Sequence, residues 1–263
     1  MTEPRVLVVE HQENAGLGLF GQRLSRPESG VAIETVGPEA GRTIPTSLDG
    51  YDALIVLGGA MGPTEDDKAP WLPATRALLV EGVERGIPTL GICLGAQMLA
   101  TATGGNVRTM PGGPEVGLLG IDVVPSAEGD PLFGPLAGRT VQAVQWHWLE
   151  ADGLPAGARV LASSPACRNQ AFRLGDAAWG VQFHPEALGR TAAEWVDEDR
   201  EGFEVLGLDE AEVVAEVRAA EPSLAEIWGG LADRFAAVTR EAPAARAARH
   251  AAMPPAPPRP SLS

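Results

Sequence analysis

The residues best suited to covalent chemistry lie in the stretch GICLGAQ, which places Cys93 between Gly91 and Gly95. The apolar run IPTLGI precedes the cysteine and a helical pattern follows it, so the spacing predicts a strand, a sharp turn and a helix. Such a turn exposes a nucleophile at a helix N-terminus, which favours the reactive thiolate. Flanking glycines avoid collisions with the neighbouring strand and helix. Taken alone, the motif also fits a buried structural cysteine.

A base for this thiolate is offered by WGVQFHPEAL, where His184 follows a strand pattern that Pro185 ends. Glu186 comes two residues after the histidine, close enough to hold the imidazole in one tautomer through its second ring nitrogen. The alternative interpretation is a structural histidine whose ring nitrogens are hydrogen-bonded within the core. The strand-end position and the neighbouring acid favour a nucleophile, base and orienting acid.

An anion site is indicated by LIVLGGAMG, in which a buried strand opens into a loop that begins at Gly58 and Gly59. Free backbone N–H groups in such a loop can stabilise an oxyanion. An ordinary glycine turn is the alternative for this segment alone. Together the three segments predict acyl transfer through a thioester.

The elements that must position these residues alternate along the first two thirds of the chain. Short buried runs predict strands over residues 5–10, 31–36, 52–59 and 87–92, and helical spacing predicts a helix within 69–86. Strand, helix and strand in series indicate parallel pairing. From Glu115 to His184 the pattern changes to strands alone. The predicted fold class is therefore α/β, with an open mixed, mostly parallel sheet that antiparallel strands extend and helices flank.

In this combination and order, GICLGAQ, the LGG loop and FHPE resemble the class I, triad-type glutamine amidotransferases. EVGLLGIDVV, AVQWHW and ACRNQAFRLG further resemble the stand-alone branch that is similar to the amidotransferase domain of GMP synthase. The resemblance implies flavodoxin-like layering of helices around the sheet. It also implies a catalytic triad of Cys93 as nucleophile, His184 as base and Glu186 as orienting acid. The backbone N–H groups of Gly59 and Leu94 are implied as the donors of the oxyanion hole.

The resemblance further implies residues that bind the substrate, and these are Gly58, Ala60, Gln97, His147 and Trp148. Relatives commonly place Gly and then Asp after this histidine, whereas the segment QWHWLE has Trp148 and Leu149 there. A bulky indole is expected to narrow or reshape the pocket. Other γ-glutamyl compounds are therefore candidate substrates beside glutamine. His147 is expected to form part of the pocket wall rather than to act as a second base.

Composition restricts the partners and the compartment. The formal net charge is −15, which argues against binding to nucleic acid or an anionic membrane, because phosphate binding relies on clustered Lys and Arg. Neither an apolar run of about 18 residues nor a secretory signal pattern is present. We therefore expect a cytoplasmic protein in which Cys93 and Cys167 stay reduced.

No cofactor or metal is expected, because the sequence has neither a Walker phosphate loop nor a zinc-ligand cluster. Residues 16–21 do fit the dinucleotide pattern G-x-G-x-x-G. The insertion HQENA separates this pattern from the preceding strand, which argues against dinucleotide binding.

The sequence pattern predicts that the chain is divided into three parts. Residues 1–190 are expected to form the amidotransferase-like domain, and residues 191–240 a helical extension of two or three helices docked on it. Residues 241–263 are rich in Ala and Pro and are expected to be a disordered tail.

Three functions follow from these observations. The first is hydrolysis of the glutamine side-chain amide, with ammonia passed to a separate synthetase partner, since no synthetase motif is recognised in this sequence. The second is stand-alone hydrolysis of a γ-glutamyl peptide or amide. The third is a binding or regulatory subunit that keeps the fold without the chemistry, an alternative that only the departure at Trp148 favours.

Overall fold

The structure, a computed structural model, describes the backbone of residues 3–252, and side chains in that range except at 200–202 and 243–252. Its strands are β1 (Arg5–Val9), β2 (Ala32–Val36), β3 (Ala53–Val56), β4 (Thr89–Ile92), β5 (Asn106–Thr109), β6 (Glu115–Val123), β7 (Thr140–His147), β8 (Leu149–Gly153), β9 (Arg159–Ser163), β10 (Ala171–Leu174) and β11 (Ala178–Val181). Its α-helices are α1 (Gly18–Leu24), α2 (Leu72–Arg85), α3 (Leu94–Ala102), α4 (Gly189–Val196), α5 (Arg200–Leu206) and α6 (Glu210–Ala252).

A nine-stranded sheet has the order β2-β1-β3-β4-β11-β10-β9-β6-β7. Strands β2, β1, β3, β4 and β11 pair in parallel, and the pairs from β11 to β7 are antiparallel. The predicted α/β fold with a mixed sheet and flanking helices is confirmed. Strands β5 and β8, which the sequence pattern did not predict, form a separate antiparallel pair.

The buried strands carry apolar side chains on both faces, because helices cover the sheet on both sides. In β1, Val6 and Val8 pack into a core that includes residues of α1 and α6. Leu7 and Val9 point the other way, into a core that includes residues of α2 and α3. Since successive side chains of a strand alternate between faces, one short run supplies both cores.

The helical extension packs on the face that α1 also covers. Trp228, Leu231 and Phe235 of α6 are buried in the same core as the strand residue Trp179. The indole of Trp228 donates a hydrogen bond to the Gln142 carbonyl at 3.0 Å. Within the described residues, no helix is both long and apolar enough to cross a membrane.

Two features of the extension differ from the sequence analysis. Val205 and Leu206 belong to the segment that was expected to dock on the domain, but Val205 is 57% exposed and Leu206 36%, whereas Phe203 of the same short α5 is buried. The predicted tail began at residue 241, whereas α6 continues to Ala252, in a segment rich in the strong helix formers Ala and Arg. The remainder of the predicted tail, residues 253–263, lies outside the described residues.

The dinucleotide-like glycine pattern has a structural role at the start of α1. Gly18 has a φ of +46°, and a Cβ at this position would lie 2.3 Å from the backbone oxygen of Glu186. The next N–H, that of Leu19, donates to this same oxygen at 2.8 Å. Gly18 therefore lets α1 approach and hold the loop that carries Glu186.

A Gly18→Ala substitution should destabilise the protein by at least about 3 kcal/mol, because both the left-handed backbone and the close carbonyl oppose a side chain. Gly41→Ala is the matched control, since Gly41 has a φ of +62° and a Cβ there would meet nothing within 4 Å. That control should cost only about 1 kcal/mol. Urea unfolding measures both, and equal losses would contradict this account of Gly18.

Candidate active site

Cys93 lies at the turn between β4 and α3 with a φ of +49°, the only positive φ of a non-glycine residue in the described chain. A Cβ on Gly91 would lie 2.5 Å from the Gly95 carbonyl carbon, and one on Gly95 would lie 2.1 Å from the Val56 oxygen. The turn thus requires both glycines, as the sequence predicted. Cys93 is 6% exposed and precedes the first residue of α3.

The parallel pairing of β4 and β11 brings His184 to Cys93. The register places Val181 opposite Ile92, and the Cys93 N–H donates to the Val181 oxygen at 2.8 Å. A Cβ on Gly58 would lie 2.9 Å from His184 Cε1 and 3.7 Å from the Cys93 Cβ. The loop after β3 is thus in contact with both side chains.

Glu186 holds the imidazole from the far side. His184 Nδ1 lies 2.7 Å from Glu186 Oε1, and both side chains are buried. Burial by itself would lower the pKa of His184, but the negative charges of Glu186 and then Cys93 outweigh it and raise the pKa to about 10. At neutral pH the ring is therefore an imidazolium, which can donate a proton to a leaving group.

The two residues expected to supply the oxyanion donors are in contact. Gly59 packs against Leu94, since a Cβ on this glycine would lie 3.0 Å from Leu94 Cδ2. Leu94 is the first residue of α3, where an N–H has no acceptor within the helix. The next N–H of the glycine loop, that of Ala60, donates to Gln12 Oε1 at 2.7 Å. Gln12 thereby fixes the loop while leaving Ala60 less available to a substrate.

Gln97 is connected to Cys93 by a second amide. Its Nε2 donates to the Leu149 carbonyl at 3.2 Å and to Gln182 Oε1 at 3.3 Å. Gln182 Nε2 in turn donates to Cys93 Sγ at 3.6 Å. Gln97 also lines the pocket in front of Cys93.

Both ring nitrogens of His147 have partners in a buried polar cluster. Its Nδ1 lies 2.9 Å from the Leu149 carbonyl, and its Nε2 lies 3.1 Å from Glu115 Oε2. Ser164 and Gln170 also donate to this carboxylate, at 2.8 and 2.7 Å. Both ring nitrogens are thus engaged, and His147 also lines the pocket.

The pocket has a volume of about 290 Å³ and includes residues from the helical extension. Trp195 of α4 stands edge to face against His184, with ring centroids 4.5 Å apart, and its indole N–H donates to the Asn14 carbonyl. Trp148 donates to Asp199 Oδ1 at 3.2 Å. The extension therefore forms one side of the pocket as well as packing on the core.

The residues of this site that were not assigned to it from the sequence include Gln12, Gln182 and Trp195. Gln182 stands two residues before His184, and a strand directs such residues to the same face, so the period of two could have indicated it. Gln12 and Trp195 carry no such local signal, because they reach the site from distant parts of the chain. Among the described residues, no three His, Cys, Asp or Glu side chains are grouped to hold a metal ion.

Residues 27–199 match the family described as glutamine amidotransferase class-I, which spans more than half of the chain. The protein therefore belongs to the class-I glutamine amidotransferases. The sequence resemblance is thus confirmed at the level of the family.

Similar proteins include both synthetase subunits and peptidases. One subunit of the glutamine-hydrolyzing GMP synthase of Natronomonas pharaonis is 34% identical over 196 residues, covering 74% of this chain and 95% of that protein. Gamma-glutamyl peptidase 3 of Arabidopsis thaliana is 29% identical over 154 residues, covering 57% of this chain and 60% of that protein. The crystal structure of a glutamine amidotransferase from Thermotoga maritima matches with a TM-score of 0.78 at 28% identity, covering 90% of this chain and 99% of that one.

A Glu186→Gln substitution should lower the pKa of His184 from its parental value of about 10, because the largest charge that raises it is removed while burial remains. In the parent, this raised pKa contributes stability that is complete below about pH 6.5 and is lost as the pH rises toward 10. This alkaline decline should be smaller in the variant, because its folded-state pKa lies closer to the unfolded value. NMR titration of the histidine side chains measures the first effect, and urea unfolding at several pH values measures the second.

Glu194→Gln is the control for that titration, since Glu194 is a partly exposed partner of Arg190. It should leave the titration of His184 unchanged. An unchanged titration in Glu186→Gln as well would show that this carboxylate does not set the charge of the imidazole.

Proposed function

We propose that this protein hydrolyses the side-chain amide of glutamine, or another γ-glutamyl amide, through a thioester on Cys93. The observation that carries the proposal is the placement of Cys93 on a strained turn in a pocket, next to an imidazole held 2.7 Å from Glu186. Membership of the glutamine amidotransferase family favours the same chemistry.

The proposed reaction has two halves. The Cys93 thiolate attacks the γ-carbonyl carbon, and the N–H groups of Gly59 and Leu94 stabilise the oxyanion that forms. The His184 imidazolium gives its proton to the leaving nitrogen as the C–N bond breaks, and ammonia or an amine departs. Water then attacks the γ-glutamyl thioester while His184 accepts a proton, which releases glutamate and restores the thiolate. Glu186 orients the imidazole throughout.

Substrate contacts are proposed from the pocket wall. Gly58, Ala60, Gln97, His147 and Trp148 surround the space in front of the nucleophile or border it, although the Ala60 N–H already has a partner in Gln12. Glutamine and small γ-glutamyl amides are the substrate class that this space would take. Cys93 and Cys167 are both free thiols, as the reducing cytoplasm that we propose for this protein would keep them.

Replacing Cys93 by Ala should reduce turnover at least about a thousandfold, because the reaction loses its nucleophile. Cys167→Ala is the matched control, since Cys167 is fully buried away from the pocket, where burial raises the pKa of its thiol to about 12. The control should keep parental activity once its folding is verified. Parental turnover by a folded Cys93→Ala protein would refute the proposed nucleophile.

The acceptor of the released nitrogen divides the proposal into two versions. A synthetase subunit would hydrolyse glutamine feebly until its partner is added, and the Natronomonas relative is named as a subunit of a glutamine-hydrolyzing GMP synthase. A stand-alone hydrolase, like the plant gamma-glutamyl peptidase in name, would need no partner. Steady-state turnover of the isolated protein against glutamine and a panel of γ-glutamyl peptides separates the two. Strong activity on peptides alone would exclude the synthetase version.

The third function, a non-catalytic binding or regulatory subunit, predicts a different result. In that case neither glutamine nor any peptide would be turned over, and a glutamine-like electrophile would leave Cys93 of the folded protein unlabelled. Labelling of Cys93 with turnover of any member of the panel would exclude this function.

A further inference from the structure

A line of buried side-chain amides runs behind the nucleophile. Gln182 is 2% exposed and Gln97 is 3% exposed, in a region where the surrounding strands and helix are otherwise apolar. Buried amides are costly unless they are hydrogen-bonded, so their presence next to a reactive sulfur calls for an explanation. The line runs from the Leu149 carbonyl through Gln97 and Gln182 to Cys93 Sγ.

The direction of every hydrogen bond in this line is fixed by its first member. A backbone carbonyl can only accept, so the end of Gln97 that meets the Leu149 oxygen must be its NH₂ group. The same NH₂ group faces Gln182, and so Gln182 must present its oxygen there. The NH₂ group of Gln182 is then directed at Cys93 Sγ, 3.6 Å away.

The sulfur thus receives a donor from behind, in addition to its contact with the imidazole. Its other polar neighbour is the Trp146 carbonyl at 3.9 Å, which is an acceptor and offers nothing to a thiolate. A hydrogen bond to a charged acceptor is stronger than one to a neutral acceptor, so a fixed N–H donor favours the thiolate over the thiol.

We propose that Gln182 is a positioning residue for the nucleophile: its amide donates to Cys93 Sγ, holds the sulfur toward the pocket and favours its thiolate form, while Gln97 keeps that amide in the donating orientation. The proposal rests on the proposed function, in which Cys93 is the nucleophile. Gln97 thereby serves both the pocket wall and, through Gln182, the sulfur.

The test is the rate at which iodoacetamide alkylates Cys93 as a function of pH, followed by mass spectrometry of the peptide that contains this residue. Gln182→Leu removes the donor at similar size and should slow alkylation at pH 7 roughly tenfold. Gln182→Glu can still accept from Gln97 but turns an oxygen toward the sulfur, so it should slow alkylation further. In both variants the rise of the rate with pH should move to higher pH.

Gln142→Leu is the control, since the Gln142 side chain is exposed on β7 and away from the pocket lining. It should alkylate at the parental rate. Thermal unfolding verifies that Gln182→Leu and Gln182→Glu are folded. If Cys93 in these folded variants is also alkylated at the parental rate, the proposal is overturned. Should neither fold, Gln97→Leu frees the Gln182 amide to turn, and a parental rate in that variant overturns the proposal equally.

Failure of this proposal and failure of the proposed function give different results. Unchanged alkylation in the Gln182 variants, together with an inactive Cys93→Ala protein, would remove only the role of Gln182. An active Cys93→Ala protein would remove the proposed function, whatever the alkylation rates are.

Discussion

The site depends on one interaction, the parallel pairing of β4 with β11. These strands are far apart in the chain, yet their register sets Val181 opposite Ile92 and ends both strands at the same edge of the sheet. Cys93 follows one strand and His184 comes three residues after the end of the other, so two residues from distant segments meet there. A slip of one residue would turn the side chains of β11 to the opposite face and separate the pair.

Maintaining this geometry carries an energetic cost that the surrounding core offsets. A non-glycine residue in the left-handed region costs about 1–3 kcal/mol, and the buried pair of His184 and Glu186 adds a desolvation cost. β4 and β11 lie at the centre of the sheet and are fully buried, with helices on both faces. The strained turn is therefore held where the backbone has the least freedom to relax.

Several segments outside the sheet complete the site. Gly18 at the start of α1 permits the contact that holds the backbone of Glu186, and Gln12 holds the glycine loop. From the other end of the chain, α4 brings Trp195 against His184, while Trp148 bonds to Asp199. The helical extension thus has two structural roles, because the same segment covers a hydrophobic core and forms a side of the pocket.

The sequence by itself determined the strands β1 to β4, the turn at Cys93 and the spacing between His184 and Glu186, because hydrophobic period, glycine placement and short-range order are local properties. Only the tertiary structure decided that β11 inserts beside β4, that Gln182 lies behind the sulfur, and that Trp195 meets His184. The helical end at Ala252 was also missed, since the Ala- and Arg-rich residues 241–252 fit a helix but were grouped with the Pro-rich residues that follow them. Contacts between distant segments depend on how faces pack, and no single segment carries that information.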